Sequence, residues 1–176
     1  MELLVAGEDV EPALLAEVSE LAHPPRVVGV YRRDDLPRGE RDLTLALWHV
    51  ADPGNVGTLL RAADAFGAAV ALSAGSADPT GPKAVRASMG SIFRTPTVEF
   101  EGSRGRRIAL VPHGGRPLRD VALAGPVTLV LGAEREGLPE EVLARCDETA
   151  TIPLPGRAES LNVATAGAIA LYEAQR

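Results

Sequence analysis

Three short segments of this 176-residue chain carry side chains that could do chemistry. The first is Asp52-Pro53-Gly54-Asn55-Val56-Gly57, followed by Arg61 and Ala63-Asp64-Ala65-Phe66-Gly67. Gly54 and Gly57 allow close backbone approach. Arg61 lies just over one helical turn beyond Gly57, so its side chain can reach back to the loop. A guanidinium there suits a phosphate or ribose oxygen. The plain alternative is a solvated arginine on an ordinary strand–helix turn. The loop is neither a G-x-G-x-x-G dinucleotide fingerprint nor a P-loop, since no Gly-Lys-Ser/Thr follows.

The second segment is Leu131-Gly132-Ala133-Glu134-Arg135-Glu136-Gly137-Leu138-Pro139. It follows the most apolar run of the chain. Glu134 therefore falls at a strand's carboxyl end, where a carboxylate is costly unless it works or pairs. Ordinary acids before a helix are the alternative, because the helix dipole favours them. That suffices for Glu136 and less well for Glu134. The third segment is Ile152-Pro153-Leu154-Pro155-Gly156, then Glu159-Ser160-Leu161-Asn162-Val163-Ala164. Two prolines make it rigid and remove N–H donors. Ser160 and Asn162 stand at a helix start, where one cap accounts for only one of them.

The elements that must position these loops alternate. Strands are expected at Leu43–Val50, Ala69–Leu72, Thr97–Phe100, Arg107–Val111, Val127–Leu131 and Thr149–Ile152. Helices are expected at Val56–Phe66 (with Asn55 as N-cap), Pro82–Met89, Pro139–Arg145 and Asn162–Ala174. Such alternation predicts an α/β fold, a mainly parallel sheet flanked by helices. Ligands in such sheets sit beyond the carboxyl ends of the strands. Before this region, Met1–Pro37 reads as strand, helix, strand, with Leu14, Leu15, Val18 and Leu21 at helical spacing. The charged stretch Arg32–Arg41 reads as a linker.

Composition bounds the function classes. Hydrophobic residues make up 45% and charged residues 24%, as in an ordinary globular domain rather than a disordered chain. No apolar run approaches the roughly 18 residues of a membrane span. No signal peptide is visible, and the single Cys146 has no internal disulfide partner, so a cytoplasmic protein is expected. Cys146, His23, His49 and His113 lack zinc spacing, so no metal is expected. The net charge is −6, but it is lopsided. Between Gly81 and Arg119 eight basic residues face only Glu99 and Glu101, giving +6 there and −12 over the remainder. Such a segment can bind phosphates locally. A solvated face rich in arginine is the alternative.

The order N-x-G-x-x-x-R, L-G-x-E-x-x-G-L and I-P-L…S-L-N-V-A resembles the SpoU (TrmH) family of RNA ribose 2′-O-methyltransferases, within the SPOUT superfamily. Ala87-Ser88-Met89-Gly90-Ser91-Ile92-Phe93-Arg94-Thr95-Pro96 also looks like the family. The resemblance runs from about Asp42 to the C-terminus. It implies a SPOUT-type methyltransferase domain over 39–176 with a C-terminal trefoil knot, although knots are otherwise rare. It implies S-adenosylmethionine as cofactor, a homodimer and an rRNA or tRNA substrate. By the same resemblance Asn55, Arg61, Glu134, Ser160 and Asn162 are the catalytic-site residues. Val111, Pro112, His113, Leu131, Gly132, Ile152, Leu154 and Leu161 are expected around the cofactor, and Lys83, Arg86, Arg94 and Arg116 on RNA. A guanidinium stays protonated in proteins, so Arg61 is assigned to orienting the ribose and phosphate rather than to taking the proton.

Many relatives carry a ribosomal-protein-like RNA-binding domain before the methyltransferase domain. Residues 1–38 resemble only its final part plus a linker, as in a truncated chain or one whose start has been lost. A strand–helix–strand piece hardly buries its own apolar face, so it is expected to be partly mobile or to rest on a partner subunit. Two other functions compete: a non-catalytic RNA-binding or assembly module that retains the fold, and a nucleotide-dependent enzyme of the doubly wound class. The intact Asn55, Arg61, Glu134 and Asn162 weigh against the first, and the missing glycine fingerprint against the second.

Overall fold

A computed structural model describes residues 2–19 and 23–176. The chain divides into two compact units, one reaching to Leu36 and one from Pro37 to Arg176. In the first unit β1 (Glu2–Val5) pairs antiparallel with β2 (Val27–Val30), and α1 spans Pro12–Ser19 between them. Leu15 of α1 is buried, whereas Leu3, Leu14, Val18, Val27 and Val30 remain exposed. Leu21, expected on the same helical stripe, lies outside the described residues.

The second unit is built on a seven-stranded sheet whose strand pairs are all parallel. Its elements are β3 (Leu43–Leu47), α2 (Pro53–Ala65), β4 (Ala69–Leu72), α3 (Pro82–Ser88), β5 (Thr97–Glu99) and β6 (Arg106–Leu110). They continue with β7 (Arg116–Pro117), β8 (Val127–Leu131), α4 (Glu140–Leu143), β9 (Glu148–Thr151) and α5 (Val163–Glu173). The strand order is β5-β4-β3-β8-β6-β9-β7. All five residues of β8 are buried, as its unbroken Val-Thr-Leu-Val-Leu run requires between two parallel neighbours. Its one hydroxyl, on Thr128, donates to the Arg104 carbonyl at 2.6 Å, so no polar group is stranded.

The strands run outward from β3 to β5, then resume on the far side of β8. The β3–β8 pair is thus a topological switch point, where the carboxyl-end loops part and leave room for ligands. The Trp48 N–H donates to the Leu131 carbonyl at 2.8 Å, which pins the ends of these two strands together.

Two expectations need correction. The expected N-cap Asn55 lies inside α2, and Asp52 is the cap: its side chain accepts from the Asn55 N–H at 2.9 Å, with Pro53 opening the helix. An Asp-Pro pair is a sound start signal, since proline lacks the donor that the first turn would waste. The first expected strand also ends early, at Leu47 rather than Val50, because His49 takes a φ of 52° and turns the chain. The short β7 was not expected at all.

Packing of α2 on α3 explains Gly57. A Cβ there would run into the Ala84 carbonyl oxygen and lie 2.7 Å from the Ala87 Cβ and 3.0 Å from the Ser88 nitrogen. Gly57→Ala should gain about 1 kcal/mol of helix propensity. It should lose more, because overpacking against a backbone carbonyl costs about 1–3 kcal/mol. The net expectation is a lower urea midpoint at unchanged slope. A midpoint that stays or rises would mean that α3 is not held against α2.

Candidate functional site

At the carboxyl ends of the strands, three loops meet through side-chain amides. Asn162 caps α5: its Oδ1 accepts from the Ala164 N–H at 2.8 Å and the Thr165 N–H at 3.3 Å. This commits the amide oxygen to the helix and turns its NH2 outward. Asn162 Nδ2 donates to Asn55 Oδ1 at 3.1 Å, and Asn55 Nδ2 donates to Glu134 Oε1 at 2.9 Å. Each amide therefore has one possible orientation, and the chain of bonds must end on an acceptor. Glu134 is that acceptor. The relay joins α2, the loop after β8 and the start of α5.

Behind Asn55 a charged pair anchors the helix start. Asp52 accepts from Lys83 Nζ of α3 at 2.7 Å. The Lys83 ammonium, then the Asn55 N–H, hold the Asp52 carboxyl below the ordinary carboxylate range.

Beside the relay lies a cavity of about 260 Å³. Its apolar walls include Leu110, Val111, Leu131, Ile152, Leu154 and Leu161, and its rim includes Gly132, Glu134, Arg135 and Ser160. Gly132 is needed where the loop folds back. A Cβ there would collide with the Gly137 carbonyl and lie 2.6 Å from the Leu138 nitrogen. Among the described residues, none from Pro153 to Leu161 makes a main-chain hydrogen bond within the chain. The cavity thus combines apolar walls with a loop whose backbone polar groups are unspent. That is the surface a flat, polar-edged small molecule needs.

Of the residues expected at a site, Asn55, Glu134 and Asn162 are joined directly, and Ser160 lines the cavity. Val111, Pro112, Leu131, Gly132, Ile152, Leu154 and Leu161 line it too, whereas His113 is exposed and is not part of its lining. Arg61 is exposed on α2 and outside that lining. Three of the four expected RNA contacts are paired with carboxylates. Lys83 pairs with Asp52, Arg94 with Asp64 at 2.6 Å and Arg116 with Glu148 at 3.4 Å; Arg86 is exposed on α3. Asp52, which fixes the start of α2 beneath Asn55, is the positioning residue that the sequence expectations lack, although Asp before Pro at a helix start is the available signal.

The family model described as "SpoU rRNA Methylase family" matches residues 42–172. The chain belongs to this family. A 23S rRNA (uridine(2479)-2′-O)-methyltransferase of Streptomyces viridochromogenes is 37% identical over 187 residues, covering 94% of this chain and 65% of that protein. The chain therefore spans just under two thirds of that relative's length. A tRNA (guanosine(18)-2′-O)-methyltransferase of Thermus thermophilus is 35% identical, covering 80% of this chain and 78% of its own. The crystal structure of an AdoMet-bound rRNA methyltransferase from Sinorhizobium meliloti superimposes with a TM-score of 0.79 at 32% identity, over 93% of this chain and 69% of that one. No described helix is long and apolar enough to cross a membrane, and no described cluster of three His, Cys, Asp or Glu could hold a metal ion.

The Asp52 pair gives a pH test. Its carboxyl is lowered on folding, so its stabilisation is full above the unfolded value near 3.8 and fades as the pH falls through the lower folded value. Wild type should exceed Asp52→Ala in urea midpoint at neutral pH, and the gap should narrow below that value. A gap independent of pH would show that the ionised carboxylate does not hold the helix start.

Proposed function

We propose that this chain transfers a methyl group from S-adenosylmethionine to a ribose 2′-hydroxyl of rRNA or tRNA. The observation that carries this reading is the apolar cavity with unspent backbone groups, set against the Asn162–Asn55–Glu134 relay in a SpoU-family chain. The residues present fit the cofactor. Leu131, Ile152, Leu154 and Leu161 offer apolar faces to an adenine ring. The main-chain groups of Pro153–Leu161 are available to its polar edge and to the ribose.

S-adenosylmethionine, when bound, supplies a methyl group activated by its sulfonium. The protein's task is then alignment and proton management. Asn55 and Glu134, fixed by the relay, orient the acceptor ribose at the cavity rim. Ser160 lies on the same rim and donates or accepts at the hydroxyl. Arg61 positions the adjacent phosphate, and its charge makes the hydroxyl more acidic. A phosphate oxygen or a water takes the proton. Arg86 and, after exchanging their present carboxylate partners, Lys83, Arg94 and Arg116 hold the RNA backbone by charge.

The same reading extends to the assembly. The chain works as a homodimer in the cytoplasm, residues 1–38 are the tail of an RNA-binding domain plus linker, and the C-terminal strands and α5 form a trefoil knot. The order β3-β8-β6-β9 supports the knot, because β8 is laid between strands formed earlier in the chain.

The test is transfer of labelled methyl from S-adenosylmethionine to ribosomal RNA and tRNA, read after alkaline hydrolysis. A blocked 2′-hydroxyl protects the adjoining linkage, so label should appear in alkali-resistant dinucleotides. Label in mononucleotides alone would place the methyl group on a base and overturn the reading. Arg61→Lys should lower the transfer rate by about 10- to 100-fold, since lysine keeps the charge but loses the planar fork. It should leave cofactor affinity within about twofold. Equal loss of both would remove Arg61 from the acceptor side.

A further inference from the structure

A second cavity, of about 230 Å³, lies against the other side of the Ala133–Gly137 loop. Its walls are Trp48 and His49 from the turn after β3, Ala133, Glu136 and Gly137 from the loop after β8, and Pro139 with Glu141 at α4. The Trp48 and His49 rings are stacked, 4.5 Å between centroids and 5° from parallel. The stack is held in place on both sides. Trp48 meets Phe100 edge-on at 5.1 Å, and the His49 ring lies so close to Gly75 that a Cβ there would be 2.7 Å from its Cγ. The recess is therefore walled by fixed rings, with Glu136 and Glu141 among its lining residues.

Ala133 and Gly137 line both cavities. The Gly137 N–H donates to the Ala133 carbonyl at 2.9 Å, so the partition between them is a single closed turn. A nucleotide that presents its 2′-hydroxyl at the first cavity holds its base only a few ångströms away, and the second cavity adjoins the first at Ala133 and Gly137. Enzymes that handle one nucleotide commonly read the Watson–Crick edge of the unstacked base with polar side chains.

We infer that this second cavity receives the base of the acceptor nucleotide and selects guanine, an inference that rests on the methyl-transfer reading above. The chemistry of the acids decides the base. A carboxylate only accepts hydrogen bonds. Guanine presents two adjacent donors, N1–H and N2–H, on its Watson–Crick edge, which one carboxylate can accept together. Uracil presents one N–H between two carbonyl oxygens, which Glu136 and Glu141 repel. Adenine and cytosine each place an acceptor nitrogen beside the amino group, so only one donor is met.

Trp48 is the chain's one tryptophan, so its fluorescence reports occupancy of this cavity. The protein saturated with S-adenosylhomocysteine would be titrated with GMP, UMP, AMP and CMP to about 10 mM, above the affinity range of weak single-nucleotide binding. GMP should change Trp48 emission saturably and bind about tenfold more tightly than UMP, the discrimination of one bidentate pair. Glu136→Gln and Glu141→Gln are each isosteric and exposed, and at least one should narrow that preference to about twofold with S-adenosylhomocysteine affinity unchanged. Four nucleotides that bind alike, tighter binding of UMP, or a guanine preference that survives both substitutions would overturn the inference. Failure of S-adenosylhomocysteine itself to bind would overturn the methyl-transfer reading and this inference with it. Normal binding of it without a guanine preference overturns only the assignment of the base.

Discussion

The site depends on the direction of four hydrogen bonds. The Ala164 and Thr165 N–H groups of α5 fix the Asn162 amide oxygen, and every later orientation follows from that choice. Asn162 can only donate to Asn55, Asn55 can only donate onward, and Glu134 must accept. An aspartate at 55 would place two acceptors face to face, and an aspartate at 162 would cap the helix but offer no donor. The relay is therefore more restrictive than its partly exposed bonds suggest energetically. A bond of this kind contributes about 1 kcal/mol, so its consequence is geometry rather than bulk stability.

That geometry is delivered by strands with little freedom to move. The β3 and β8 strands are in register from Leu43 opposite Val127 to Leu47 opposite Leu131, and the Trp48 N–H continues the ladder one residue further. The loops they carry begin at fixed points. The Ala133–Gly137 turn then folds tightly over Gly132, and Asp52 with Lys83 fixes where α2 starts. Small residues and a charged cap thus do locally what the buried sheet does globally: they leave the polar loop groups few alternative positions. The loop from Pro153 to Leu161 differs. Its prolines stiffen it without spending its backbone groups on the fold, which leaves those groups for a ligand.

Much of this was legible in the sequence, for reasons that differ by element. The apolar run of β8 has no competing interpretation, and its boundaries at Val127 and Leu131 are those of the structure. A cap for α5 at Ser160 or Asn162 is visible, because both stand just before an alanine-rich helix, and the structure gives the role to Asn162. The relay was not visible, since it depends on which way two amides face after residues 107 positions apart are brought together. Asn55 reads as the cap because it precedes an apolar helical stripe, but Asp52 with Pro53 at the first turn is the stronger local arrangement. Strand β7 escaped because two residues, one a proline, carry no alternation. The pairing of Lys83, Arg94 and Arg116 with acids was also hidden, because charge counted along a sequence ignores partners distant in the chain.

The proposed place of the adenosyl cofactor is the cavity between Gly132 and the Ile152–Leu161 loop, beside the relay. Calorimetric titration of the purified chain with S-adenosylhomocysteine tests it most directly, because this product occupies the cofactor's place without any RNA. The expected result is saturable binding near one molecule per chain, weakened in Gly132→Ala, where the new Cβ collides with the Gly137 carbonyl. No binding by a wild-type chain that unfolds cooperatively, and is thus folded, would contradict it.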